Sequence, residues 1–167
     1  EGVRAVVAQR LGRLSDGCRQ ILEVAAVLGR DFELRALQPA SGLEGDRMLV
    51  LLEEAEAARV VVAVPGGLGR WRFAHALVRE VLYESLPAAL RLHARVGEAL
   101  EALYVGDPRP HLAELAHHFV AAAPGGEVAR AVRVATAAGR RALELLAWED
   151  AAALFEHALA ALELTER

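Results

Sequence analysis

The sequence predicts a mainly helical chain carrying one small β-hairpin, and three observations carry that reading. Alanine, the residue with the best intrinsic helical propensity, fills 35 of 167 positions. Apolar residues recur at i, i+3, i+4 and i+7 along most of the chain. The period changes only near residues 60–73: the β-branched run Val60–Val64, turn chemistry over Pro65–Gly69, and the alternating Arg70-Trp71-Arg72-Phe73.

Taken in order, Val3, Val6, Val7, Arg10, Leu11 and Leu14 lie along the stripe of a first helix. Ser15 is the natural N-cap of a second, whose apolar face is Cys18, Ile21, Leu22, Ala25 and Leu28. Gly29 is expected to close it in a left-handed backbone. Phe32 and Leu34 make a strand-like step before a brief helix over Leu34–Pro39. After a turn at Ser41-Gly42, a helix starting at Asp46 or a neighbour buries Met48, Leu51, Leu52, Ala55 and Ala58. Three helices followed by a hairpin is the order of a winged helix. It is expected over residues 15–86.

Residues 87–167 carry no further strand signal. Helices are expected near 75–86, 88–104, 110–122, 127–146 and 149–164, broken at Pro87, Gly106-Asp107-Pro108, Pro124-Gly125-Gly126 and Trp148. The last pair fits the offsets of a tetratricopeptide repeat. Gly139 is the small residue of its first helix, and Trp148, Ala151, Phe155 and Ala158 fall in the loop and second helix. Ala142 stands where that repeat has an aromatic residue; a generic alanine-rich helical hairpin is the plain alternative. One repeat buries too little surface alone, so residues 87–167 are read as the start of a tetratricopeptide-like array and the chain as a piece of a longer protein.

Several chemistries are excluded. A formal charge of −4 gives no general signature for nucleic acid or an anionic membrane. The single cysteine, Cys18, allows no internal disulfide and no cysteine-rich zinc module. No uncharged apolar stretch approaches the roughly 18 residues of a membrane span, and a cytoplasmic location is expected. Pro65–Gly69 lacks the Gly-Lys-Ser/Thr ending of a phosphate loop, and the chain has no lysine at all. It is therefore read as non-enzymatic. The helix near 45–58, which would read DNA, carries Asp46, Glu53, Glu54 and Glu56 against Arg47 alone. Residues 16–74 hold seven arginines and nine acids, a balance that weighs against phosphate neutralisation. Glu53-Glu54 reads as a solvated face.

Of six histidines (His75, His93, His111, His117, His118, His157), His111 and His118 share a helix face at i, i+7, with His117 beside the second. Zinc favours tighter sets, so no metal site is expected. The informative stretch is Phe73-Ala74-His75-Ala76-Leu77-Val78-Arg79-Glu80-Val81-Leu82-Tyr83. Ala74, Leu77, Val78, Val81 and Leu82 form its apolar stripe. His75 and Arg79, at i, i+4, project from the first turns, where free N–H groups and the positive dipole end favour an anion. A helix cap with an arginine paired to a nearby glutamate is the plain alternative.

These features together resemble the STAND class of signal-transduction ATPases, most closely the large LuxR-type bacterial transcriptional regulators and their cyclase-linked relatives. The likeness rests on a winged-helix order whose last strand runs into Arg72-Phe73-Ala74-His75-Ala76-Leu77-Val78-Arg79-Glu80, then alanine-rich repeat-like helices. Arg13-Leu14-Ser15, Ala25-Ala26-Val27-Leu28-Gly29-Arg30-Asp31-Phe32 and Leu115-Ala116-His117-His118-Phe119 are phrases typical of that group. The resemblance implies that His75 is the histidine of the family's Met-His-Asp motif, a sensor of the ADP β-phosphate; Ala74 and Ala76 stand at the flanking positions. Arg79 would support it. The resemblance also implies that residues 1–14 are the end of a preceding helical module. The implied partners are an upstream ATPase module in the same polypeptide, which would bind ATP or ADP, and a ligand or protein on the helical repeats. The competing readings are a DNA-binding winged-helix regulator and a stand-alone interaction scaffold.

Overall fold

The structure, a computed structural model, describes residues 2–86 and 88–165; the break expected at Pro87 lies outside them. The chain is mainly helical with one three-stranded antiparallel sheet, and it divides into two compact units, Glu1–Pro87 and Ala88–Arg167. Among the described residues no helix is long and apolar enough to cross a membrane.

In the first unit α1 (Gly2–Gly12) buries Val7 and Leu11, and Arg4 pairs with Glu84 on α5 (Ala76–Glu84) at 2.6 Å. The central helix is α2 (Asp16–Leu28), which buries seven residues, Cys18, Ile21, Leu22 and Val24–Val27. It packs on β1 (Asp31–Glu33), α3 (Leu34–Ser41), α4 (Gly45–Ala57) and α5. The hairpin strands are β2 (Val61–Ala63) and β3 (Arg70–Phe73). β3 lies between β1 and β2, with Phe32 opposite Trp71 and Val61 opposite Phe73. Alternation on β3 turns Trp71 and Phe73 inward, where the Phe73 ring meets Phe32 at 5.6 Å between centroids.

Ser15 caps α2 as its sequence position predicts, its Oγ accepting the Cys18 N–H at 3.2 Å. Glu54, expected on a solvated face, instead turns back to that cap. Its two carboxylate oxygens accept the Ser15 N–H at 2.6 Å and the Ser15 hydroxyl at 2.7 Å. Those bonds hold its pKa below the ordinary carboxylate value. A carboxylate that titrates lower in the folded chain stabilises it above the unfolded pKa, and that contribution is lost as pH falls through the folded value. Ser15→Ala is expected to cost about 1 kcal/mol. Glu54→Gln should lower the urea midpoint at pH 7, with the deficit closing below about pH 4. An equal deficit at pH 7 and pH 3 would remove the cap from this account.

Two expected boundaries move. Gly29 ends α2 at φ 144°, ψ −171°, not in the left-handed helical region but in an extended mirror region that glycine tolerates. The last helix pair breaks before Trp148, which is the first residue of α9 (Trp148–Glu163). α8 (Val128–Glu144) closes where Ala147 N–H returns to the Ala142 carbonyl, with Leu146 at φ 60°.

The second unit begins with α6 (Ala89–Leu103) and, after a 3-10 turn at Arg109–His111, α7 (Leu112–Ala122). Consecutive helices α6, α7, α8 and α9 pack side by side. Their buried faces are rich in alanine and glycine, which lets the backbones approach. A Cβ on Gly139 would stand 2.7 Å from the Phe155 ring, and one on Gly97 would stand 3.0 Å from the Phe119 ring. Thus both helical hairpins, α6–α7 and α8–α9, seat a phenylalanine of the second helix on a glycine of the first. Arg130–Glu98 at 2.8 Å and Arg133–Glu101 at 2.7 Å add ion pairs between α8 and α6.

Candidate functional site

His75 is the N-cap residue of α5, with extended backbone (φ −136°, ψ 142°) and an exposed side chain that makes no capping bond. Its position is set by the residues before it. Phe73 N–H donates to the Arg30 carbonyl and Ala74 N–H to the Val60 carbonyl, both at 3.0 Å. Val78, one turn on, is buried. The backbone at His75 is therefore anchored at the surface, beside a helix start with no acidic residue in its first turn.

Arg79 sits differently from the sequence expectation. It is half-buried, its Nε–H donates to the Ala26 carbonyl of α2 at 2.8 Å, and its guanidinium lies over the Tyr83 ring, 5.5 Å from the centroid. Position i+4 from the cap falls on the flank facing α2, so that Nε–H is spent inside the fold. The sheet brings other cations to the end where His75 stands. Arg30 immediately precedes β1, Arg59 lies two residues before β2, and His75 lies two residues after β3; antiparallel pairing puts all three at one end. Arg30 and Arg59 are exposed, and among the described residues no hydrogen bond or ion pair engages their guanidinium groups. Sequence reasoning passed over both, because their meeting depends on strand register, not spacing.

In the second unit, a groove of about 700 Å³ runs between α7, α8 and α9. Leu112, Ala138, Ala142 and Leu154 line its apolar part, and His117 and Asp150 are among its polar residues. Beside it Glu144 accepts hydrogen bonds from Arg141 at 2.8 Å and Arg109 at 2.6 Å, which hold its pKa low.

The histidines regroup. His111 leaves the pairing with His118 that the i, i+7 spacing suggested and stacks on Tyr104, 3.5 Å between centroids. His93 of α6, unpaired with any of them in the sequence, faces His118 of α7 with their Nδ1 atoms 3.0 Å apart, both rings buried. Burial first, then the neighbouring His117 and His93, pushes the His118 pKa down to about 3. Cys18 is buried with its thiol pKa pushed up to about 12, by burial and by Glu54, and its S–H donates to the Leu51 carbonyl. That makes it an inert core residue. No protein-family model, curated protein or solved structure matches this chain.

Proposed function

We propose that this chain is a regulatory, non-enzymatic part of an ATP-dependent bacterial signalling regulator of the STAND class. In this reading the first unit is a winged helix and the second begins a tetratricopeptide-like sensor array. The observation that carries the proposal is the exposed, backbone-fixed His75 at the start of α5, with Arg30 and Arg59 at the same end of the sheet. Three groups able to bear positive charge there match a phosphate presented by a neighbouring ATPase module in the same polypeptide.

Further support comes from the element order. The order α2, β1, α3, α4 and the β2–β3 hairpin, with β1 paired to β3, supports reading the first unit as a winged helix. The close approach of Gly139 to Phe155 supports the repeat reading of α8 and α9. DNA reading gains no such support. The outward face of α4 exposes Asp46, Glu53 and Glu56 beside Arg47, together with Leu49 and Val50.

The proposed mechanism is a cytoplasmic switch. With ADP in the upstream module, His75 donates a hydrogen bond to a phosphate oxygen and ties this unit to the ATPase core. A ligand or protein on the helical groove opposes that closed state. A hydrogen bond to a charged group contributes about 1.5–3 kcal/mol, which biases a two-state equilibrium by one to two decades. A full 1:99 to 99:1 switch needs roughly 5.5 kcal/mol, so packing between modules supplies the remainder. In the intact parent protein, His75→Ala is expected to speed ADP release about ten- to a hundredfold and raise basal output. Unchanged ADP retention in that variant would remove His75 from the switch.

A further inference from the structure

We propose that His93, His117 and His118 form a binding site for a single late first-row divalent cation, zinc by preference. The three residues come from two helices. His93 lies one turn before Gly97 on the buried face of α6, and His118 precedes Phe119 on the buried face of α7. Because the Phe119 ring seats on Gly97, with 3.0 Å to a would-be Cβ, the helices close far enough to bring both imidazoles together. His117, next in sequence to His118, is exposed and lines the groove wall, so the cluster is reachable from solvent.

The geometry fits one ion. One nitrogen from each ring can be chosen so that all three lie within 4.8 Å of one another. Zinc–nitrogen bonds of about 2.0–2.1 Å in tetrahedral geometry separate ligand nitrogens by about 3.3 Å and place ring centroids about 5.3 Å apart. Here the His93 and His118 Nδ1 atoms are 3.0 Å apart, and the three centroid separations are 5.6, 5.2 and 5.1 Å. The His93 and His118 nitrogens already have this spacing, and the His117 nitrogen, within 4.8 Å of them, closes the remaining gap of up to about 1.5 Å by rotation of its exposed side chain. The Nδ1–Nδ1 contact holds one N–H between two rings. Binding needs both rings in the tautomer with the proton on Nε2, which frees both Nδ1 lone pairs for the metal. An all-imidazole set suits zinc, copper or nickel rather than magnesium or calcium, and three protein ligands leave a fourth position for water.

The test uses the 167-residue chain stripped with a chelator and titrated with Co²⁺, whose visible d–d bands report tetrahedral coordination, then displaced with Zn²⁺. The expected result is one ion per chain and a rise in melting temperature with zinc. His117→Ala removes an exposed ring and leaves no core void, so folding is retained; it should weaken binding at least tenfold, since even losing an outer-shell partner costs about 10–100-fold. His93→Gln should abolish the tetrahedral spectrum. His157→Ala, outside the cluster, should leave affinity unchanged. Absence of stoichiometric binding in the parent chain, or binding untouched by His117→Ala, overturns the site. ADP retention by His75 is a separate readout in the other unit and is unaffected by either outcome.

Discussion

Replacing Phe119 with alanine is expected to destabilise the second unit by about 3–5 kcal/mol, read as a lowered urea midpoint with the slope retained. The ring is fully buried, touches Gly97 across the α6–α7 seam, and has the Arg130 guanidinium 5.5 Å from its centroid. Its removal leaves a void that alanine-rich neighbours fill poorly, because they have no longer side chains to swing in. A cycle with Gly97→Ala sharpens the test. An exposed helical glycine gains roughly 1 kcal/mol on becoming alanine. Here the new methyl meets a ring that has nowhere to move, and overpacking of that kind costs about 1–3 kcal/mol. Gly97→Ala should therefore destabilise the parent and stabilise the Phe119→Ala background. The same sign in both backgrounds would mean that the seam is not closed by this pair. Gly139 makes a closer approach to Phe155, 2.7 Å, yet that ring is only half-buried and can swing aside. Gly139→Ala should cost less than the shorter distance suggests.

The second large effect is expected at Phe73. Its ring is fully buried on the central strand against Phe32, so Phe73→Ala should cost about 3–5 kcal/mol, whereas Phe73→Leu keeps most of the volume and should cost under about 1.5 kcal/mol. The functional consequence is local. Phe73 and Ala74 carry the two backbone bonds that fix the residue after them. In Phe73→Ala, hydrogen exchange at the Phe73 and Ala74 amides should accelerate more than at Leu22 or Ala25 in α2. Uniform acceleration across the first unit would show that the link to His75 has no stability of its own.

Much of this was legible because short-range chemistry dictates it. The period of α2, the Ser15 cap, the change to strand period at Val60 and the turn at Pro65–Gly69 each follow from residues within a few positions. His75 could be singled out because its setting, a strand end running into an apolar helical stripe, is written in consecutive residues. Arg79 could be located but not assigned. Spacing fixes the face of a helix, and only the packing of α5 on α2 decides that this face meets the Ala26 carbonyl. Glu54 is the same case, its acceptor oxygens claimed by a cap 39 positions earlier.

By itself, then, the sequence determined the helical character, the single hairpin, the absence of a second cysteine and the residue at the head of α5, since propensity, periodicity and count are local quantities. Tertiary structure alone decided which distant groups share a place: Arg30 and Arg59 with His75 through strand register, and His93 with His118 through the Gly97–Phe119 seam. The reason is physical. Hydrophobic burial constrains each helix to present a face, but which faces meet, and at what height, is set by interlocking shapes that no one segment contains.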